Sequence, residues 1–331
     1  MPNQKLYPQN GPLIIAEIGG NHGGSLELAK DMVDAALAVG GRAVKFQTYR
    51  MEAFVTPDHP AYDEFSPEAL SYNQFRELST YCHERGAVFL STPFDLESAD
   101  LLEELDVPAF KIASGDLTFI SLLQHVAKKR KPILLSTGGA QWRDIDRAVD
   151  AIRTNGDPHL TLLHCTAAYP APDSEANLRI IPRLKERYGV NVGFSDHTLG
   201  VDVALAAIGL GATVIEKHFS TNQTLPGGDN EMSILPLELE HLVEASQRIW
   251  TALGSDVREP TSSELKLLPN LRRSLSLARD MAKGEEISTG DLTAIRPGTG
   301  IPPYEISSLV GRRLNQGLPA FHIVQLDDLE P

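Results

Sequence analysis

Residues 13–49 read LIIAEIGGNHGGSLELAKDMVDAALAVGGRAVKFQTY, and this stretch decides the fold. An apolar, β-branched run (13–19) is followed by an amphipathic helical segment that closes on glycine, then by a second apolar run (43–49). Helices commonly end on a glycine that takes the left-handed backbone conformation. Strand, helix and strand in about 37 residues is a βαβ unit, which requires a parallel pair.

Working outward, the same alternation continues along the chain. Further strand candidates are AVFLSTPF (87–94), AFKIASGD (109–116), PILLSTGG (132–139), LTLLHCTA (160–167), VNVGFSD (190–196) and TVIEKHF (213–219). Eight βα repeats in roughly 240 residues predict a (β/α)8 barrel over 1–253. A doubly wound open sheet fits less well, because no GxGxxG or GxxxxGK[ST] phosphate loop opens a helix after the first strand. Residues 51–70, an insertion rich in Pro, Tyr and acids after the second strand, form a candidate lid or a passive surface loop. Residues 254–270 read as a linker or a short exposed helix. Residues 271–331, short strands punctuated by Gly and Pro, predict a small β-rich module.

Bulk properties narrow the function classes. Thirty basic against 44 acidic side chains give a net charge of −14, which disfavours nucleic acid and anionic membrane as partners. Mean hydropathy is −0.16, and the longest uncharged apolar stretch, 203–215, is too short for a bilayer of about 20 residues. The N-terminal MPNQKLYPQN lacks the apolar core of a signal peptide, so a cytoplasmic protein is expected. Cys82 and Cys165 are far apart with no CxxC pairing, which argues against a disulfide framework or a cysteine-rich zinc site.

The C-terminal ends of barrel strands converge on one pocket. Here those ends carry Glu17, Asn21 and His22, Lys45 and Gln47, Thr92, Lys111 and Ser114, Ser136, Tyr169, Ser195 and His197, and Glu216 and His218. So many polar groups would be expensive to bury for structure alone. Alternation places Lys45 with Gln47, Ser195 with His197, and Glu216 with His218 on one face, and sends Lys217 towards the helix layer. Lys45 and Lys111, with hydroxyls from Thr92, Ser114 and Ser136, make a candidate cradle for phosphate and carboxylate. His197 and His218, 21 positions apart on neighbouring strands, suit a divalent transition metal with open positions. Glu17 is a candidate for hydroxyl binding or acid–base work.

The strings IAEIGGNHGGS, KFQT, STPFD, FKIASGD, LSTGG, LLHCT with YPAP, GFSDHT and VIEKHF resemble, in order and spacing, the sialic acid (nonulosonic acid) synthase family. The tail from RRSL through IRPGTGIPP resembles that family's antifreeze-like (SAF) domain. The resemblance implies a transferase that condenses phosphoenolpyruvate with an N-acylated hexosamine aldehyde, assisted by a divalent metal, commonly Mn2+. It implies that His197 and His218 hold the metal and that Lys45, Thr92, Lys111, Ser114, Ser136 and Ser195 bind phosphoenolpyruvate. Glu17, Gln47, Tyr169 and Asp229 would meet the sugar, with Glu17 shuttling protons. Arg296, from the RPG segment of a second subunit, would complete the site in a domain-swapped homodimer.

N-acetylmannosamine is the default acceptor, followed by a 6-deoxy diacetamido hexose of the legionaminate or pseudaminate type; a spore-coat polysaccharide relative is a further alternative. Ala167 departs from relatives that place Ser or Asn there, and by parity with Tyr169 it is expected to face inward. A Schiff-base aldolase using Lys45 or Lys111 would need a lysine in apolar surroundings. An ice- or carbohydrate-binding tail fits poorly with Arg272, Arg273, Lys283, Arg312 and Arg313.

Overall fold

A computed structural model describes Leu6, Pro8 and residues 11–331; most of the N-terminal stretch read for a signal sequence lies outside the described residues. The chain divides into two compact units, Met1–Gly254 and Ser255–Pro331.

The first unit is an eight-stranded parallel barrel. Its strands are β1 (Leu13–Gly19), β2 (Ala43–Thr48), β3 (Val88–Pro93), β4 (Phe110–Ile112), β5 (Ile133–Ser136), β6 (Leu160–Cys165), β7 (Asn191–Asp196) and β8 (Val214–His218). Hydrogen-bonded order runs β3-β2-β1-β8-β7-β6-β5-β4, and β3 packs beside β4 to close the ring.

Strand alternation sorts the side chains into two buried layers. Ile14, Ala16, Ile18, Val44, Phe46 and Phe89 face the surrounding helices. Leu13, Ile15, Ala43, Leu90, Ala109, Leu134, Leu163 and Val214 fill the barrel interior. Two residues further along each strand the inward positions become Glu17, Lys45, Thr92, Lys111, Ser136, Cys165 and Glu216, all buried. An apolar plug therefore underlies a polar floor, which is the arrangement that leaves chemistry at the C-terminal face.

Three sequence expectations need correction. The fourth strand was expected over 109–116 but ends at Ile112, and Ser114–Asp116 is a 3-10 turn. Ser and Asp side chains compete for backbone groups and favour turns over strand. Residues 51–70 are not a loose loop: they hold helices Met51–Phe54 and Ala61–Phe65 and a 3-10 turn Ser66–Glu68. Phe54 stacks on Tyr49 and meets Phe65 and Phe94, which anchors the insertion to the ends of β2 and β3. Ala167 lies beyond the end of β6 and is exposed, so strand parity does not carry through to it.

The second unit begins with helix Ser262–Leu271, which is started by a Thr261/Glu264 capping box within the expected linker. Strands β9 (Ser274–Leu277) and β10 (Leu292–Ile295) pair antiparallel, and isolated bridges knit the remainder. Its core holds Leu275, Leu277, Met281, Ile287, Leu309, Leu314 and Val324. Among the described residues no helix is long and apolar enough to cross a membrane.

Candidate active site

Backbone register brings the key side chains together before any side-chain contact is counted. On one side of Glu17 lies Lys45 and on the other His218. Ser195 is opposite Glu216, and Cys165 is opposite Ser195.

The floor of the site is a network of two lysines and two carboxylates. Lys45 Nζ lies 2.8 Å from Glu17 Oε2 and 3.9 Å from Glu216 Oε2, and it donates to Thr92 Oγ1 at 2.9 Å. Lys111 Nζ lies 3.4 Å from Glu216 Oε1, which also accepts from Ser195 Oγ at 3.0 Å. Gln47 Nε2 reaches Glu17 Oε1 at 3.5 Å. Glu17 Oε2 is paired with Lys45, whereas both Glu216 Oε2 and the Ser136 hydroxyl are buried without a hydrogen-bond partner among the described residues. Buried polar atoms are normally satisfied, so unpaired ones facing a pocket mark where a ligand's groups belong. Gly138 N donates to Ser114 Oγ at 2.9 Å; a β-carbon at Gly138 would fall 2.8 Å from that hydroxyl, so the cradle needs glycine here.

Electrostatics follow from this burial. Desolvation pushes the Glu17 carboxyl up to about 7 against the pull of Lys45, with Glu216 adding to the rise. Glu216 goes the other way: burial raises it, but Lys111, Lys45 and the Ser195 hydroxyl outweigh that and hold it ionised. Burial lowers Lys111. One carboxylate is thus committed to charge and the other is poised to hold a proton near neutrality, as an acid–base pair requires.

Beside the floor stand the imidazoles. The His197 and His218 rings lie 5.3 Å apart, and Tyr169 packs on His197 at 4.2 Å. Burial lowers both histidines, and His218 falls further through its positive neighbours, so each is neutral and a lone-pair donor. His197 Nδ1 bonds the Thr166 carbonyl at 2.9 Å, which assigns the proton there and leaves Nε2 as the donor nitrogen. His218 Nδ1 lies 3.4 Å from Asp229 Oδ2 but makes no hydrogen bond among the described residues, so the orienting bond is the one at His197. Carboxylate or carbonyl partners on the far nitrogen are what orient metal-binding histidines. No group of three or more His, Cys, Asp or Glu among the described residues is placed to hold a metal ion, so the histidine pair alone would leave an ion's other positions open. The pair fits a divalent transition metal whose remaining ligands are substrate or water oxygens.

The loop after β8 carries Asp229 and is held by Asn21, seen at a strand end but given no role from sequence, and by Glu68, which the sequence did not single out. Asn21 Oδ1 accepts from Asp229 N at 2.7 Å, and Asn21 Nδ2 donates to Phe219 O and Ser233 Oγ at 2.9 Å. Gly228 (φ +55°) lies so close to Asn21 that a β-carbon would be 2.6 Å from its side-chain oxygen. Glu68, buried on the 51–70 insertion, accepts from Gly228 N at 2.5 Å.

Sequence reasoning also left Glu216 without a role, although its parity with His218 pointed inward; it sits between both lysines. Cys165, buried, lies 3.7 Å from His197 Nδ1, and nothing in its sequence flanks signalled that place. Arg296 is an exposed residue of the second unit, where its Nε donates to Leu271 O. A cavity of about 860 Å3 opens beside the cluster, lined by Thr137, Gln141, Trp142, Cys165, Ala167 and Asn177. Its lining lacks both lysines and both histidines, so the convergent donors, not this void, mark the chemistry.

Comparison with known proteins shows which family the whole chain resembles. A chain named N,N'-diacetyllegionaminic acid synthase from Legionella pneumophila is 41% identical over 93% of this chain and 91% of that relative. The human N-acetylneuraminate-9-phosphate synthase is 32% identical over 95% of this chain and 91% of its own length. A crystal structure of N-acetylneuraminic acid (sialic acid) synthetase from Leptospira borgpetersenii superposes with a TM-score of 0.75 at 37% identity, covering 78% of this chain and 90% of that one. Residues 32–258 match the NeuB family and residues 272–330 the SAF domain, so the chain belongs to the NeuB family and ends in a SAF domain.

Proposed function

We propose that this chain is a nonulosonic acid synthase that joins phosphoenolpyruvate to the open-chain aldehyde of an N-acylated hexosamine and releases phosphate. The observation that carries the reading is the juxtaposition of two buried lysines and a ring of hydroxyls with two neutral imidazoles at one end of the barrel. Lys45, Thr92, Lys111, Ser114, Ser136 and Ser195 hold the phosphate and carboxylate. Gln47, Tyr169 and Asp229 meet the sugar.

Charge balance shapes how the floor works. Two lysines facing Glu17 and Glu216 make a neutral cluster, so the floor alone does not offset a multiply charged anion. Proton uptake on Glu17 frees Lys45 for the ligand. His197 and His218 would hold a divalent metal, Mn2+ by preference, which would supply further positive charge and Lewis-acid polarisation of the aldehyde. The protonated Glu17 carboxyl then donates to the developing alkoxide as C3 of phosphoenolpyruvate attacks the aldehyde carbon. Water adds at C2 and gives its proton to the Glu17 carboxylate left by the first step; the tetrahedral intermediate then forms its C2 carbonyl by expelling phosphate, while Lys45 and Lys111 stabilise the charge.

For the acceptor we place a 6-deoxy diacetamido hexose ahead of N-acetylmannosamine, reversing the order suggested by sequence. The relative named for legionaminic acid is more similar than the one named for N-acetylneuraminate 9-phosphate, 41% against 32% identical. The reading extends to a cytoplasmic homodimer in which Arg296 of the partner subunit contacts the acceptor. The test is phosphate release by metal-stripped protein given Mn2+, phosphoenolpyruvate and a panel of acceptors: both hexosamines, arabinose 5-phosphate and mannose. Release that requires metal and a diacetamido hexose supports the reading. Release with arabinose 5-phosphate alone, or none with any acceptor, sinks it.

A further inference from the structure

Directly behind the imidazoles lies a buried ion pair that the proposed reaction does not use. Asp196 precedes His197 and Lys217 precedes His218, each on the outward face of its strand, and β7 and β8 hold the two opposite each other. Lys217 is 1% exposed and Asp196 0%. Lys217 Nζ donates to Asp196 Oδ2 at 2.8 Å and to the Thr198 carbonyl. Asp196 Oδ1 in turn accepts from Thr198 N at 2.9 Å and from Thr198 Oγ1 at 2.8 Å. Around them Phe194, Ile215 and Phe219 are fully or almost fully buried, so the ring of bonds is closed off from water.

Stability alone does not account for such a pair. Taking both charges out of water costs several kcal/mol per ion, and apolar residues of similar volume are often as stable. What the pair supplies is geometry. It ties β7 to β8 at the level of the histidines. It also grips the Thr198 peptide from both sides, the amide through Asp196 and the carbonyl through Lys217. Thr198 follows His197, so the direction in which β7 leaves the sheet is fixed there, while His218 is fixed by the anchoring of the preceding Lys217.

We propose that Asp196, Lys217 and Thr198 form a positioning clamp that sets the His197–His218 separation for a divalent cation. The clamp rests on the reading of those histidines as the metal pair. None of its three residues touches substrate; it acts through the imidazoles.

The experiment is Mn2+ binding to the metal-stripped full chain, followed by electron paramagnetic resonance of free Mn2+, in the wild type and in the double variant Asp196→Asn/Lys217→Met. Removing both charges together leaves no unpaired ion, so the thermal midpoint is expected to stay within a few degrees. Mn2+ affinity is expected to fall by roughly 10- to 100-fold, the usual cost of disturbing groups that orient metal ligands. A folded double variant that binds Mn2+ within twofold of the wild type overturns the clamp. Should the double variant not fold, Thr198→Val removes a single hydroxyl bond and keeps both charges. About threefold weaker Mn2+ binding then supports the clamp, and unchanged binding overturns it. A wild type that binds no Mn2+ fails differently, because it removes the metal reading itself.

Discussion

Replacing Lys45 with methionine removes one cation from the floor and keeps most of the side chain's volume. The first question is whether the protein survives it. Lys45 lies 2.8 Å from Glu17, a contact worth about 6 kcal/mol at an effective dielectric of 20, so its loss would seem to strand a buried carboxylate. Glu17, however, already holds its proton up to about pH 7 when folded, against 4.5 for an ordinary glutamate. The folded state therefore binds the extra proton between those values, and stability falls as pH rises through that window. At pH 7 this costs the wild type a few kcal/mol, and because Glu17 is already largely protonated there, its complete protonation in the variant adds little.

Lys45→Met is thus expected to fold at pH 7 while losing a charge-assisted contact to phosphoenolpyruvate. That loss is worth about 3 kcal/mol, roughly a hundredfold in Kd. Calorimetric titration with phosphoenolpyruvate, beside a thermal melt at the same pH, measures both quantities. A Kd within threefold of the wild type would refute the cradle. A melt showing that the chain is unfolded would refute the proton argument.

Glu17→Gln is expected to lower kcat by roughly 10^2- to 10^4-fold without weakening phosphoenolpyruvate binding. In the wild type, turnover should fall above about pH 7 as Glu17 loses its proton, and a pH–rate profile of the variant should lack that limb. Glu68→Ala removes the buried acceptor of Gly228 N. It should cost about 1–3 kcal/mol in urea unfolding and raise the acceptor KM through the loosened Asp229 loop. An unchanged acceptor KM would show that the 51–70 insertion does not support the sugar side. Leu163→Ala, in the barrel interior, should cost about 2–5 kcal/mol by the same unfolding assay.

Much of this site could be read from strand alternation, because parity is a local property of the chain. Lys217 and His218 are adjacent in sequence yet face opposite layers, and parity separates them as the structure does. The limits of the method lie where long-range pairing decides. Glu68 owes its burial to a backbone amide 160 positions away, which no local pattern of Pro, Tyr and acids encodes. Asn21 is visible at a strand end, but its work in holding Asp229 depends on a contact 208 positions off. Parity also fails once a strand ends, as it does at Ala167. Glu216 shows a different limit: its inward direction was legible, but whether it is ionised depends on how closely two lysines approach it.

The most direct test of the central claim follows the carbon atom that forms the new bond. Phosphoenolpyruvate labelled with 13C at C3 is incubated with the Mn2+-loaded protein and the diacetamido hexose, and the label is traced by NMR. The account predicts that the vinyl signal moves to a saturated methylene bonded to the former aldehyde carbon, with one phosphate released per product. Label appearing instead in the methyl group of pyruvate, or remaining in the vinyl position, would contradict it.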